Sequence, residues 1–276
     1  MAILGALMAA TGNAQDALFS EAEAYERFMG RWSRALAPLL VRFADVQSGD
    51  VVLDVGSGTG ALAAAIAAAA PSGRVVGIDP AAAYVTFAQA KRPNDRLSFE
   101  IGDAQRMRFS DGSFDRTLSL LVINFIPDPQ KALLEMKRVT KRGGTVAAAV
   151  WDYGEGMEML RVFWDAAIAL HPADARKDER FMPLCRRGEL ADLWRKQGLS
   201  DVSEEGLIIE TRFASFDDYW APFMAKQGPA GAYAATLAPN EREDLKQRLR
   251  QRLLGDGADR AIAINARAWA VRGRVP

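Results

Sequence analysis

Ten consecutive residues, 51–60 (VVLDVGSGTG), restrict this chain more than any other stretch. Val51, Val52, Leu53 and Val55 make a short apolar run rich in β-branched side chains, which predicts a buried parallel strand. Asp54 interrupts it, and glycines follow at alternate positions, Gly56, Gly58 and Gly60. Residues 61–70 are alanine-rich, with Leu62 and Ile66 on one face, and predict a helix. Strand, glycine turn and helix form the first half of a nucleotide-binding βαβ unit. The glycines permit unusual backbone angles and let a ligand lie against bare backbone. Residues 74–79 (RVVGID) predict a second strand ending in Asp79, where a carboxylate can accept two hydrogen bonds from a ribose diol.

This combination resembles the class I S-adenosylmethionine (SAM)-dependent methyltransferases, the ubiquinone/menaquinone-type small-molecule family among them. The resemblance rests on LDVGSGTG at 53–60, the acid of GIDP at 77–80 and GDA at 102–104. It covers roughly residues 45–150 well and the flanks more weakly. It implies an α/β fold: a Rossmann-like, doubly wound, seven-stranded sheet with the last strand antiparallel. A helical N-terminal lid and a helical insertion between strands 6 and 7 complete it. It implies SAM as cofactor and S-adenosylhomocysteine as product. In the implied site Gly56, Ser57, Gly58 and Gly60 underlie the methionine part and Asp54 orients that turn and the amino group. Asp79 takes the ribose hydroxyls, Pro80 shapes the rim, Asp103 and Ala104 take adenine, and Leu120 and Leu121 contact the cofactor after strand 4. Two other readings stand beside this one. An NAD-dependent Rossmann enzyme is disfavoured, because the glycines run GxGxG and a dinucleotide pyrophosphate asks for GxGxxG. A non-catalytic SAM- or S-adenosylhomocysteine-binding partner protein stays open.

Composition narrows the partners. The 276 residues suffice for one large domain with a cap, and 49% hydrophobic content suffices for a sizeable core. With 35 basic and 35 acidic side chains, charge gives no argument for nucleic acid or an anionic membrane. Cys185 is the single cysteine, which excludes an intrachain disulfide and suits a reducing cytoplasm. With His171 the single histidine, no usual zinc site can be built, and no metal is expected. Residues 1–10 (MAILGALMAA) lack the basic n-region of a signal peptide, and no run reaches the ~18 apolar residues of a membrane span. The expected protein is cytoplasmic, a monomer or homodimer.

In chain order, residues 1–44 predict a helical arm or lid and residues 45–276 the main domain, with cap elements at about 154–198 and 215–256. Tyr25, Phe28, Met29 and Trp32 share one face of a helix over 21–44. That face either packs on the core or covers the cofactor, where an aromatic surface attracts a sulfonium. Further strands are predicted at 97–102, 114–121, 145–151, 201–213 and 261–271. Further helices are predicted at 81–90, 132–139, 154–170, 188–197, 216–224 and 240–254. Residues 141–144 (KRGG) read as the basic end and glycine stop of a helix.

Methyl transfer from SAM is an in-line displacement, and a base is needed only where the nucleophile must lose a proton. Asn124 stands where many relatives carry a histidine, so no catalytic residue is assigned; Asn124, His171 and Tyr25 are weak candidates. The LLVINF segment at 120–125 lacks the Asp/Asn-Pro-Pro-aromatic signature of base-amino methylation, and Cys185 lies outside strands 4 and 5, where cytosine C5 chemistry places its nucleophile. A small apolar or aromatic acceptor remains, with Trp151 and Trp220 beside the lid residues as its expected lining.

Overall fold

A computed structural model describes residues 26–91, 95–226 and 228–276. Its seven strands are β1 (Val51–Val55), β2 (Arg74–Asp79), β3 (Leu97–Ile101), β4 (Phe114–Leu120), β5 (Thr140–Trp151), β6 (Ser200–Phe213) and β7 (Ile262–Arg274). They form one sheet in the order β3-β2-β1-β4-β5-β7-β6. The pairs from β3 through β5 are parallel, and β7 runs antiparallel to both β5 and β6. The doubly wound sheet with its last strand antiparallel is the architecture the sequence implied.

Strand order reverses between β1 and β4, and open α/β sheets bind ligands at such a switch point, outside the carboxyl ends of the strands. Here the loop leaving β1 is the glycine turn. Helix α1 (Arg31–Phe43) and helix α2 (Ala61–Ala69) pack together beside it. In α1, Trp32, Leu36, Ala37, Leu40 and Val41 are buried at helical spacing, so one face is wholly committed to packing. Helix α3 (Ala82–Lys91) follows β2, and α4 (Pro129–Val139) follows β4. Asp128 accepts the Lys131 N–H and caps α4, with proline in its first turn.

The second half of the chain supplies five more helices among the described residues. Helices α5 (Glu158–Leu170) and α6 (Glu189–Lys196) lie between β5 and β6; α7 (Phe216–Met224), α8 (Gly228–Thr236) and α9 (Pro239–Leu254) lie between β6 and β7. Three local expectations are corrected. Residues 141–144 do not end a helix: α4 stops at Val139, β5 already begins at Thr140, and Gly143 bends the strand at φ +74 with its N–H on Val275 O. Helix α5 starts at Glu158 and not at 154, because Asp152 accepts the Glu155 N–H and holds a turn there. Between α7 and α9 stands an additional helix, α8, whose GPAGAYAAT sequence hides it behind a glycine and proline start. Among the described residues no helix is long and apolar enough to cross a membrane.

Candidate functional site

The carboxyl ends of β1, β2, β3 and β4 converge on one cavity of about 370 Å³. Gly56, Ser57, Gly58 and Thr59 come from the turn after β1, Asp79 ends β2, and Pro80 and Ala81 follow it. Gly102, Asp103, Ala104 and Gln105 follow β3, Leu120 ends β4, and Leu121 and Val122 follow it. The opposite wall is assembled from distant segments: Met29 before α1 and Ser33 within it, Trp151 at the end of β5 and Tyr153 after it, Glu179, and Gly228 and Pro229 at the start of α8.

The glycine turn is held by backbone bonds. The Gly56 and Ser57 N–H groups donate to Ile78 O at 2.8 and 2.9 Å. Gly56 has φ +73, and a Cβ there would lie 2.4 Å from Val122 Cγ1, so only glycine fits. Asp79 is buried, with Oδ2 accepting the Gly58 N–H and Oδ1 the Ala81 N–H, each at 2.9 Å. Its carboxylate therefore ties the turn after β1 to the end of β2 while facing the cavity. Asp103 is exposed on the rim, where Oδ1 accepts the Gln105 N–H at 2.8 Å. Leu121 adopts φ +62, a left-handed conformation that costs a non-glycine residue about 1–3 kcal/mol. Its N–H is anchored on Ala149 O at 2.8 Å. The chain thus leaves β4 through a strained residue exactly one position past the strand, at the cavity wall.

Asp54 lies behind the turn, 0% exposed, and among the described residues neither carboxylate oxygen closes a hydrogen bond of good geometry, the Ala63 N–H standing near enough only to act through its dipole. Burial pushes its pKa up to about 8; the Ala63 backbone N–H offsets part of that rise and the charge of Asp79 adds to it. In the unfolded chain an aspartate ionises near pH 4. Between those values unfolding releases a proton, so this group makes stability fall as pH rises from about 4 to about 8. Asp54→Asn removes the effect. The stability of the variant relative to wild type should rise between about pH 5 and pH 8, by up to about 1.4 kcal/mol per pH unit. Urea unfolding of cofactor-free protein across that range checks it, and parallel profiles for the two proteins would show that Asp54 is ionised in the fold.

Most expected cofactor contacts meet in the cavity: Gly56, Ser57, Gly58, Asp79, Pro80, Asp103, Ala104, Leu120 and Leu121 all line it. Asp54 and Gly60 stand behind the wall, Gly60 at φ +82 as the residue before α2. The lid and acceptor set divides. Met29 and Trp151 line the cavity. Trp32 does not: it is 0% exposed and packs edge-on against Trp151 and tilted on Phe213, at ring centroid distances of 6.3 and 5.9 Å. Trp220 is buried against Phe223 in α7 and also falls outside the lining. Tyr25 and the side chain of Phe28 lie outside the described residues.

The catalytic candidates fare differently. Asn124 is buried in a single turn, Ile123–Phe125, and is not part of the wall. His171 ends α5 at the surface, 3.8 Å from Glu241, and does not reach the cavity. Glu179 and Tyr153 line the cavity without any sequence signal for it, and Tyr84, expected on the core face of the helix at 81–90, lines it as well. Glu179 sits in a charged run, 176–180 (RKDER), that carries no periodicity. Its burial pushes its pKa up to about 7, against the opposing pull of the Trp164 N–H and Arg161; the neighbouring Asp178 charge adds to the rise.

The charge of the lining is one-sided. Asp79, Asp103 and Glu179 face the cavity, and among the described residues no lysine, arginine or histidine does. Three carboxylates in a largely apolar space favour a cationic ligand and oppose a pyrophosphate.

Residues 53–148 match the family described as a methyltransferase domain. An uncharacterized protein of Mycobacterium tuberculosis is 28% identical over 200 residues, spanning 71% of this chain and 70% of that protein. A ubiquinone/menaquinone biosynthesis C-methyltransferase of Bdellovibrio bacteriovorus is 36% identical over 118 residues, 42% of this chain and 49% of that enzyme. Among solved structures, a Haemonchus contortus phosphoethanolamine N-methyltransferase, in complex with phosphomonomethylethanolamine and S-adenosylhomocysteine, superposes with a TM-score of 0.57 at 20% identity. That superposition covers 92% of this chain and 57% of the other and shows the fold alone.

Proposed function

We propose that the protein is a class I SAM-dependent methyltransferase, built on the methyltransferase-domain match at residues 53–148, that binds SAM in the β1–β4 cavity and methylates a small-molecule acceptor held under the cap. The observation that carries this reading is the acid-lined cavity, with no basic side chain among the described residues that line it, set over a GxGxG turn. SAM is a cation at sulfur, and its ribose and amino groups are donors; the residues present match those needs. Asp79 receives the ribose hydroxyls through lone pairs not engaged by Gly58 and Ala81. Asp103 and the Ala104 backbone receive adenine. The bare backbone of Gly56, Ser57 and Gly58 faces the methionine part, with Asp54 supporting it from behind.

When bound, SAM supplies an activated methyl group on a good leaving group. The protein's own task is positioning. Met29, Trp151, Tyr153 and Pro229 close the space on the acceptor side and exclude water. Holding a nucleophile about 3–3.5 Å from the methyl carbon can remove roughly 7–11 kcal/mol of barrier. A cavity of about 370 Å³, closed by cap elements, suits a small molecule, and this volume falls in the usual range for ligand pockets.

The N-terminal segment acts as a lid. The turn of π-helix at Glu26–Gly30 brings Met29 to the cavity, and the Glu26 carboxylate accepts the Thr59 hydroxyl while pairing with Arg34. Glu26 thereby fastens the segment to the glycine turn. Glu26→Ala should weaken SAM affinity by about 0.5–1.5 kcal/mol, roughly 2- to 10-fold, mainly through faster dissociation. Stopped-flow displacement reads this directly; an unchanged off-rate would remove the lid.

The function itself is tested by calorimetry against SAM, S-adenosylhomocysteine and NAD, followed by transfer of labelled methyl from SAM to a panel of small acceptors. Binding of the first two with label transfer is expected. Binding without transfer across the panel points to a SAM-binding partner protein, and binding of NAD alone overturns the assignment.

A further inference from the structure

Glu179 occupies a single turn, Glu179–Phe181, between α5 and α6 and reaches the acceptor side of the cavity, where it is 4% exposed. Its Oε2 accepts the Trp164 Nε1–H at 2.7 Å. Its other oxygen closes no hydrogen bond among the described residues. The indole is fixed in turn by Phe163 and Tyr233, with ring centroids at 5.5 and 5.2 Å. Two charged groups face Glu179: Arg161 from α5 and Asp178 from its own segment. Arg161 is committed to Asp178, through Nη1 at 3.2 Å and Nη2 at 2.5 Å, and Arg180 reaches the same carboxylate at 2.6 Å. Two guanidinium groups therefore neutralise Asp178 and leave Glu179 without a counter-ion of its own.

A buried carboxyl in the wall of a ligand space, oriented by one indole and with its second oxygen not hydrogen-bonded among the described residues, is the arrangement of a group that takes a proton. We propose, resting on the reading of this cavity as the cofactor and acceptor site, that Glu179 receives the proton of the acceptor, and that the acceptor is an acidic hydroxyl on an unsaturated carbon, a phenol or enol. A single open oxygen matches a single O–H donor, and an ammonium group would bring three donors to it. Burial poises the carboxyl near neutrality, where it can both take and release the proton. The balance is simple. The acceptor O–H bond breaks and its proton passes to Glu179 Oε1. The freed electron pair forms the new bond to the methyl carbon as the carbon–sulfur pair moves to sulfur and discharges the sulfonium. Glu179 then returns its proton to solvent.

The test uses the full chain saturated with S-adenosylhomocysteine, with phenol, anisole and benzylamine as probes, titrated at about pH 6 and about pH 8. Phenol should bind about tenfold more tightly than anisole at the higher pH, and the preference should shrink at the lower pH as Glu179 takes up its proton. In Glu179→Gln, which keeps the shape of the side chain, the pH dependence should vanish. In ¹³C-glutamate-labelled wild type, phenol should lower the Glu179 titration midpoint and anisole should not. Equal binding of phenol and anisole, no phenol binding at millimolar concentration, or an unchanged pH dependence in Glu179→Gln would each overturn the proposal. Tighter binding of benzylammonium than of phenol would overturn the hydroxyl assignment. Failure of S-adenosylhomocysteine to bind would strike the cofactor reading, and this proposal with it; its binding without phenol discrimination strikes the role of Glu179 alone.

Discussion

On the proposed reading, replacing Asp79 by alanine should weaken SAM binding by about 1.5–3 kcal/mol, roughly 10- to 150-fold, the range for hydrogen bonds to a charged partner. Two losses combine. The ribose hydroxyls would lose their carboxylate acceptor, and the Gly58 and Ala81 N–H groups, each 2.9 Å from the Asp79 carboxylate, would lose theirs. Because Gly58 belongs to the turn beneath the methionine part, the effect extends from the ribose end to the far end of the site. Asp79→Asn, which keeps an acceptor oxygen but no charge, should fall between wild type and alanine. Calorimetry with SAM and S-adenosylhomocysteine gives the number, and circular dichroism confirms the fold. An affinity equal to wild type in Asp79→Ala would mean that the ribose lies elsewhere.

The second large effect is on stability. Trp32→Ala should destabilise the fold by about 3–5 kcal/mol, the cost of removing a large buried aromatic side chain and leaving a cavity. Trp32 is 0% exposed and joins three separate parts of the chain: α1, the end of β5 through Trp151, and the end of β6 through Phe213. Its indole N–H finds no acceptor among the described residues, so packing carries its contribution. Trp32→Phe should therefore recover most of the loss. Guanidinium unfolding of the three proteins is the measurement. Unchanged stability together with a large loss of SAM affinity would return Trp32 to the lid.

These two residues show what the sequence made legible. Asp79 was readable because its distance from the glycine turn, the strand before it and the proline after it are all local. The same holds for Gly56, Ser57 and Gly58, and for Asp103 and Ala104 at the end of β3. These residues lie at strand ends, and periodicity finds strand ends. Trp32 was readable as part of an apolar face but not as core in preference to lid, since helical spacing gives a face its polarity and not its partner. Glu179 was not legible: it reaches the cavity only because α5 and the turn after it fold back over the sheet, and a charged run looks the same in solvent. The left-handed backbone of Leu121 was hidden too, because leucine is an unremarkable residue wherever its φ is negative. Helix α8 was missed for the opposite reason, its opening glycine and proline being local signals of a turn.

The placement of β7 between β5 and β6 bears on how the chain reaches this state. Both neighbours precede it in sequence, and neither pairs with the other. During synthesis, β5 presents an open edge and β6 has no ladder until residues 262–274 emerge. Unpaired edges of this kind are templates for aggregation. The long sequence separation of the β5–β7 pairing makes its closure the slow, entropically costly step. The β1–β4 half is built from local βαβ units, whereas β6 gains its ladder only from β7, across the helices α7, α8 and α9 that lie between them. Chains that end before β7 are therefore expected to expose the β5 edge and an unpaired β6, and to aggregate where the full chain does not.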